Sequence, residues 1–285
     1  QLWALVLLTL MWGFNWPMMK FSLRELSPLY FRAMTMMAGA LFLLAWYRAK
    51  GLRMVPQAHE WRTVAAIGIP NMLGWHMLSI LGVKELASGR AAILGFTMPI
   101  WTVLISVLFL GERLTRRVAF AAVSVGVTVL LLASSEITRI TGSPQGVAWM
   151  VGAAICWAIG TLMIRRSALT LPVETLTVWT MLLGSVCLWL FAMATEPPPA
   201  WQFSSAMWLS LAYGAFINYG FAQTLWATLA RHLPPATSAM SIMAVPLVGT
   251  LSATFIVGEW PHWQDYLAIV FVMAAIGAVL MPARA

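Results

Sequence analysis

Charge is what this chain has least of: only 9% of its residues are Asp, Glu, Lys or Arg, against about a quarter in soluble domains. So little charge cannot cover a water-facing surface, which excludes a soluble globular protein. Acidic residues are the scarcer sign, with nine Asp and Glu against 17 Lys and Arg. None falls in the middle of an apolar window; Glu174 and Asp265 stand close to window starts. Ionisable groups inside a membrane usually mark ion pathways, so their absence argues against a carboxylate-driven proton or sodium pump. We read His76 as the one ionisable group deep in a window.

Cysteine is nearly absent too. Cys156 and Cys187 both lie in apolar windows, without disulfide or metal-type spacing, and read as small packing residues. There is no His-Glu-x-x-His motif and no mid-window carboxylate pair. His59, His232 and His262 fall in loops, and Ser79 is too close to His76 in helical phase for a nucleophile–base pair. No catalytic residue, metal or cofactor is therefore expected. A channel is disfavoured because no selectivity-filter motif is visible.

What is present is apolar length. The chain is 61% hydrophobic, with a mean hydropathy of +0.84. A helix needs roughly 20 apolar residues to cross a bilayer. Windows that meet this are 2–20, 28–48, 62–82, 88–110, 117–134, 146–164, 172–194, 206–229, 236–257 and 264–282. None alternates as barrel strands would, so helices are expected. The first residue is Gln1, from which we expect a trimmed native start. The first window lacks a small-residue cleavage site and reads as a retained span.

The chain also repeats. Residues 61–112 shifted by 147 positions meet 208–259 without a gap, and ten pairs are identical. They are Trp61/Trp208, Ala65/Ala212, Asn71/Asn218, Leu78/Leu225, Leu86/Leu233, Ala92/Ala239, Pro99/Pro246, Leu104/Leu251, Gly111/Gly258 and Glu112/Glu259. The chain has only three asparagines, Asn15, Asn71 and Asn218, and two of them align. We therefore divide it at residues 1–140 and 141–285, five windows in each part. An odd number of spans per repeat inserts the second copy upside down. The expected fold is an all-α membrane protein of ten transmembrane helices built from two inverted five-helix repeats, an architecture of secondary transporters.

Basic residues agree. Assigned to alternate sides of ten spans, 11 fall on one side: Arg48, Lys50, Arg53, Arg62, Arg113, Arg116, Arg117, Arg165, Arg166, Arg231 and Arg284. Six fall on the other: Lys20, Arg24, Arg32, Lys84, Arg90 and Arg139. By the positive-inside rule both termini are expected in the cytoplasm. The net charge of +8 then reflects topology, not nucleic-acid binding. The loop at 48–62 carries four basic residues and its counterpart at 195–205 none, as expected of copies facing opposite compartments.

Polar and aromatic residues gather on matching faces. Asn71, Trp75 and Ser79 are spaced i, i+4, i+8, beside His76. Asn218, Ala222 and Trp226 repeat that spacing beside Tyr219 and Gln223. Trp12, Asn15, Trp16 and Met19 share a face of the first window, and Trp157 and Thr161 one of the sixth. The candidate substrate-binding residues are Trp12, Asn15, Trp16, Asn71, Trp75, His76, Ser79, Trp101, Trp157, Asn218, Tyr219 and Gln223. Together they would line a neutral chamber suited to a zwitterion with an apolar side chain. The plainer alternative is that Asn71 and Asn218 bond a neighbouring helix and the mid-span tryptophans pack or face lipid. Trp61, Trp201, Trp208, Trp260 and Trp263 stand at window ends, as interfacial anchors do. Pro99 and Pro246 each remove a backbone donor and are candidate hinges. Small residues four apart (Gly152, Cys156 and Gly160; Thr35 and Gly39; Ala122 and Gly126; Gly249 and Ala253) read as packing faces. Glu112 and Glu259 follow glycines and read as loop-tip residues that pair with Arg or cap the next helix.

Trp12-Gly13-Phe14-Asn15, Pro28 to Arg32, Pro99, Leu110-Gly111-Glu112-Arg113, Pro246 and Val257-Gly258-Glu259 carry a resemblance. With them the whole chain resembles the drug/metabolite transporter superfamily in its ten-helix, EamA-type form. Its richness in Trp and Met is most similar to YddG-type exporters of aromatic amino acids. The resemblance implies efflux of amino acids and some drugs across the bacterial inner membrane by alternating access. The implied partners are a small-molecule substrate and the lipid bilayer, with the chain working as a monomer. Ala158-Ile159-Gly160 and Trp260 depart from the pattern in the second half, so the halves are expected to contribute unequally. No glutamate lies between residues 2 and 20, so the proton exchange of the four-helix relatives does not carry over. Transport of nucleotide sugars or phosphorylated compounds is the alternative within the superfamily. It would need basic side chains facing the cavity.

Overall fold

The computed structural model describes residues 2–138, 142–167, 169–232 and 235–280. Arg139, Leu233 and Arg284, which entered the charge and repeat arguments, lie outside the described residues. The helical segments are α1 (Leu2–Ser22), α2 (Pro28–Ala49), α3 (Trp61–Glu85), α4 (Ser88–Leu110), α5 (Arg116–Thr138) and α6 (Pro144–Arg166). They continue with α7 (Val173–Thr195), α8 (205–232), α9 (Pro235–Ile256) and α10 (Trp263–Leu280). No strand occurs among the described residues. By length and composition α2, α3, α4, α5, α6, α7 and α10 qualify as membrane spans, and Met243–Ile256 is a shorter apolar helix.

The helix ends follow from local chemistry. Gly111 and Gly258 both adopt the left-handed conformation, at φ 72° and 76°. In each case the next residue's N–H bonds back to a carbonyl of the last turn, Glu112 to Ser106 and Glu259 to Ala253. The Gly-Glu pairs of the repeat are thus the C-terminal stops of α4 and α9. Ser143 and Ser204 cap the starts of α6 and α8, accepting from the N–H of Gly146 and Met207.

Two interiors depart from α geometry at matching places. α3 widens into a π-helical stretch over Ile69–Gly74, and α8 over Tyr213–Phe221. Asn71 and Asn218 sit in the two stretches. Pro70 lacks an N–H and so breaks the regular ladder of α3. α4 is interrupted at Phe96 and Thr97, just before Pro99. The symmetric bend expected at both prolines takes this form only once: α9 runs as one helix through Pro246.

α2 and α7 pack antiparallel, and so do α5 and α10. Glu196, after the end of α7, accepts from the N–H groups of Leu29 and Tyr30 at the start of α2. At the other end of the pair, Thr175 in the first turn of α7 donates to the Arg53 carbonyl beyond α2. For α5 and α10, Arg90 joins Glu136 near the end of one to Asp265 at the start of the other.

Glycines set the close crossings, as helix association in lipid requires. A Cβ on Gly39 would stand 2.4 Å from the Cβ of Tyr219, and one on Gly184 3.2 Å from that of Met72. Met72 and Tyr219 are the same position of the repeat. The Gly152–Cys156–Gly160 stripe meets α3 at Leu78, Gly74 and Asn71. Gly249 meets Ala92, and Thr35 meets Gly214. The Ala122–Gly126 pair is the exception: Gly126 is exposed, with no described atom within 4 Å of where its Cβ would stand.

Candidate functional site

A cavity of about 340 Å³, in the lower part of the range for small-molecule sites, is lined from α1, α2, α3, α4, α6, α8 and α10. Of the sequence-derived residues, Trp12, Asn15, Trp16, Trp75, His76, Ser79, Trp157, Asn218, Tyr219 and Gln223 line it. Asn71 and Trp101 do not. Asn71 is turned into the α3–α6 contact, its Cβ 2.4 Å from where a Gly160 Cβ would stand. The Trp101 indole N–H bonds the Thr97 hydroxyl of its own helix at 3.1 Å. Of the two prolines, Pro99 lines the cavity and Pro246 does not.

The walls are aromatic pairs bridging helices distant in sequence. Trp12 of α1 meets Trp226 of α8 with ring centres 5.5 Å apart, and Trp75 of α3 meets Trp157 of α6 at 5.4 Å. Such tilted and edge-to-face pairs leave π-faces free for a ligand. Trp226 shares the Asn218 face, so its spacing alone could have placed it. Met98, Thr102 and Val103 of α4 also line the cavity and were missed. The signal for them is the interruption before Pro99, which the spacing of apolar residues does not reveal.

The floor corrects a larger point. Arg32 lines the cavity and is only 3% exposed, although its position near a window start places it with the loop cations. Its Nη1 donates to the Tyr219 hydroxyl at 3.0 Å, and Nη2 to Met19 Sδ at 2.8 Å and Ser79 Oγ at 3.4 Å. Arginine only donates, so the Tyr219 oxygen accepts from it. The Tyr219 proton is then free for His76 Nδ1, 3.0 Å away. The available sign was an arginine four residues past Pro28, inside an apolar run, where an ionisable group is functional by default.

His76 is therefore not the one buried ionisable group. Arg32, Arg90, Glu136 and Asp265 are all 5% exposed or less. Nor is the chamber neutral: among the described residues Arg32 and Arg165 line it, and no carboxylate does.

The cavity runs from exposed Arg165 and from Leu280, beside the strongly basic loops, down to buried Arg32 and Met19. Beyond that floor the opposite end is tied shut. Glu259 accepts from the Ser88 N–H and hydroxyl, both at 2.6 Å, capping α4 from the other half. The helix it caps is not the next one, α10, as expected of that glutamate, but α4, distant in sequence. Lys20 donates to the carbonyls of Val83, Lys84 and Leu86, where the end of α3 favours a cation. Glu25 bonds the hydroxyl and N–H of Ser204, and the hydroxyl first, then the N–H, holds its carboxyl below the usual carboxylate range.

Two stretches of the chain, residues 1–134 and 144–281, match the EamA-like transporter family. The chain belongs to that family. It is a multi-pass membrane transporter. Relatives include the uncharacterized transporter YoaV of Bacillus subtilis, 23% identical over 277 residues, covering 96% of this chain and 92% of YoaV. The uncharacterized inner membrane transporter YedA of Escherichia coli K12 is 26% identical over 288 residues, covering 99% and 92%. A probable terminal-alkyne amino-acid exporter of Streptantibioticus cattleyicolor is 28% identical over 271 residues, covering 91% and 86%. One crystal structure superposes with a TM-score of 0.68 at 21% identity, covering 96% of this chain and 94% of that one, a likeness of fold.

Proposed function

We propose that this protein is a secondary transporter that exports amino acids, aromatic and other neutral ones, and related small amphiphiles across the inner membrane. In this reading ten spans form two inverted five-helix halves, residues 1–140 and 141–285. Their rocking exposes the central cavity to each side in turn. Both termini lie in the cytoplasm, and the chain works as a monomer.

One observation carries the proposal: a tryptophan-walled cavity between the halves reaches the basic end and is closed at the other by cross-half ties. Under the positive-inside rule the basic end is cytoplasmic, so the cavity faces the cytoplasm. The antiparallel packing of α2 on α7 and of α5 on α10 supports inversion. The name of the Streptantibioticus relative supports amino acids as the substrate class.

A second reading, transport of anionic metabolites, is favoured by Arg32 and Arg165 in a cavity lined by no carboxylate. Proteoliposomes loaded with labelled Trp, Phe, Thr or a nucleotide sugar separate the two. We expect saturable efflux of the amino acids and none of the nucleotide sugar. Efflux of the nucleotide sugar alone overturns the amino-acid reading. The same assay with and without a pH gradient reads the coupling.

A further inference from the structure

Among the described residues, one buried guanidinium of the central cavity has no counter-ion. Arg32 is 3% exposed, its Nε has no hydrogen-bond partner, and its other contacts are neutral: a phenol, a hydroxyl and a thioether. Arg90, equally buried, is matched by two carboxylates. Desolvating an unpaired cation is unfavourable, and a partner must offset it. The lining of the cavity offers no acidic group that could.

We infer that Arg32 is the anion-binding floor of the cavity and takes the single carboxylate of the transported molecule. The inference rests on the reading of this cavity as the transport site. Polar groups neighbour it there: His76 and Ser79 belong to the lining with Arg32. One buried cation matches one negative charge. A diphosphate would bring more charge than the floor can balance, and Arg165 stands at the exposed rim, where water screens it. Above the floor, the faces of Trp12, Trp75, Trp157 and Trp226 fit an apolar side chain and attract an ammonium. A zwitterion bound this way points its carboxylate toward the closed end. An amine or an amide loses the contact with Arg32.

The test is a matched set of probes on the purified full chain. Quenching of tryptophan emission gives the affinities of L-phenylalanine, its amide, 3-phenylpropanoate, 2-phenylethylamine and phenyl phosphate. The same compounds compete with labelled L-phenylalanine for efflux from proteoliposomes. Wild-type protein is expected to bind the two carboxylates at least about tenfold more tightly than the amide and the amine, the worth of one charge-assisted hydrogen bond. In Arg32→Gln that ratio collapses toward one, and Arg32→Lys recovers part of it. Equal binding of acid and amide by wild type overturns the inference. So does a preference for phenyl phosphate, failure of either carboxylate to bind, or an unchanged ratio in Arg32→Gln. Should Arg32→Gln not fold, the wild-type comparison decides alone. Carboxylate-selective binding without efflux leaves the floor standing and removes the export reading; efflux without carboxylate preference does the reverse.

Discussion

Gly39 lies so close to Tyr219 that a methyl group on it would fall 2.4 Å from the Tyr219 Cβ and 2.8 Å from the Ala215 carbonyl oxygen. The clash involves backbone and the root of a buried side chain, so nothing swings aside. Tyr219 joins Arg32 to His76, which links this contact between halves directly to the cavity floor. We expect Gly39→Val to destabilise the protein by about 1–3 kcal/mol and to impair transport further than its stability explains. Gly126→Ala, where nothing lies within 4 Å, should change stability by less than about 0.5 kcal/mol. Thermal unfolding in detergent, followed by efflux from proteoliposomes, checks both.

The two repeated asparagines should behave differently. Asn218 lines the cavity, whereas Asn71 faces Gly160 in a helix contact. Asn218→Ala is expected to raise the KM for the transported amino acid by about tenfold with little loss of stability. Asn71→Ala should lower stability and leave KM near wild type. Equal effects on KM would remove the distinction.

Arg90, Glu136 and Asp265 form a buried charged cluster, and removing one member strands the others. Arg90→Met should cost about 3–5 kcal/mol, and replacing all three by apolar residues of similar volume should cost less. Unfolding midpoints of the single and triple variants give the comparison. A triple variant weaker than Arg90→Met contradicts it.

Glu25 gives a pH signature outside the membrane. Its bonds to Ser204 depress the folded-state pKa. Their contribution to stability is present above the unfolded pKa and is lost as pH falls through the folded one. Melting curves of wild type and Glu25→Gln should therefore differ at neutral pH and converge in acid. A difference that persists or grows in acid contradicts the assignment.

Much of the helix layout was legible because lipid imposes a simple rule: long apolar runs become helices. That Gly111 and Gly258 are left-handed stops was not read from the repeat, which gave only their matching places before Glu112 and Glu259. The aromatic faces were legible because i, i+4, i+8 spacing puts Trp75 and Ser79 on one side of α3. Arg32 was not, since a cation near a span start looks like a loop charge until neighbouring helices bury it. Asn71 was misread for a related reason. Spacing gives the face of a helix, but the widened turn over Ile69–Gly74 and the close approach of Gly160 decide what that face meets. Glu259 on Ser88 joins residues 171 apart, which no local pattern encodes.

Inversion of the two halves is the claim on which transport by rocking depends, and side-specific labelling tests it most directly. Ala58→Cys and Ala200→Cys lie in exposed counterpart loops and can be placed singly in a Cys156→Ser, Cys187→Ser background. A membrane-impermeant maleimide applied to intact cells should label residue 200 and spare residue 58, with the order reversed on inside-out vesicles. Labelling of both positions from the same side would contradict it.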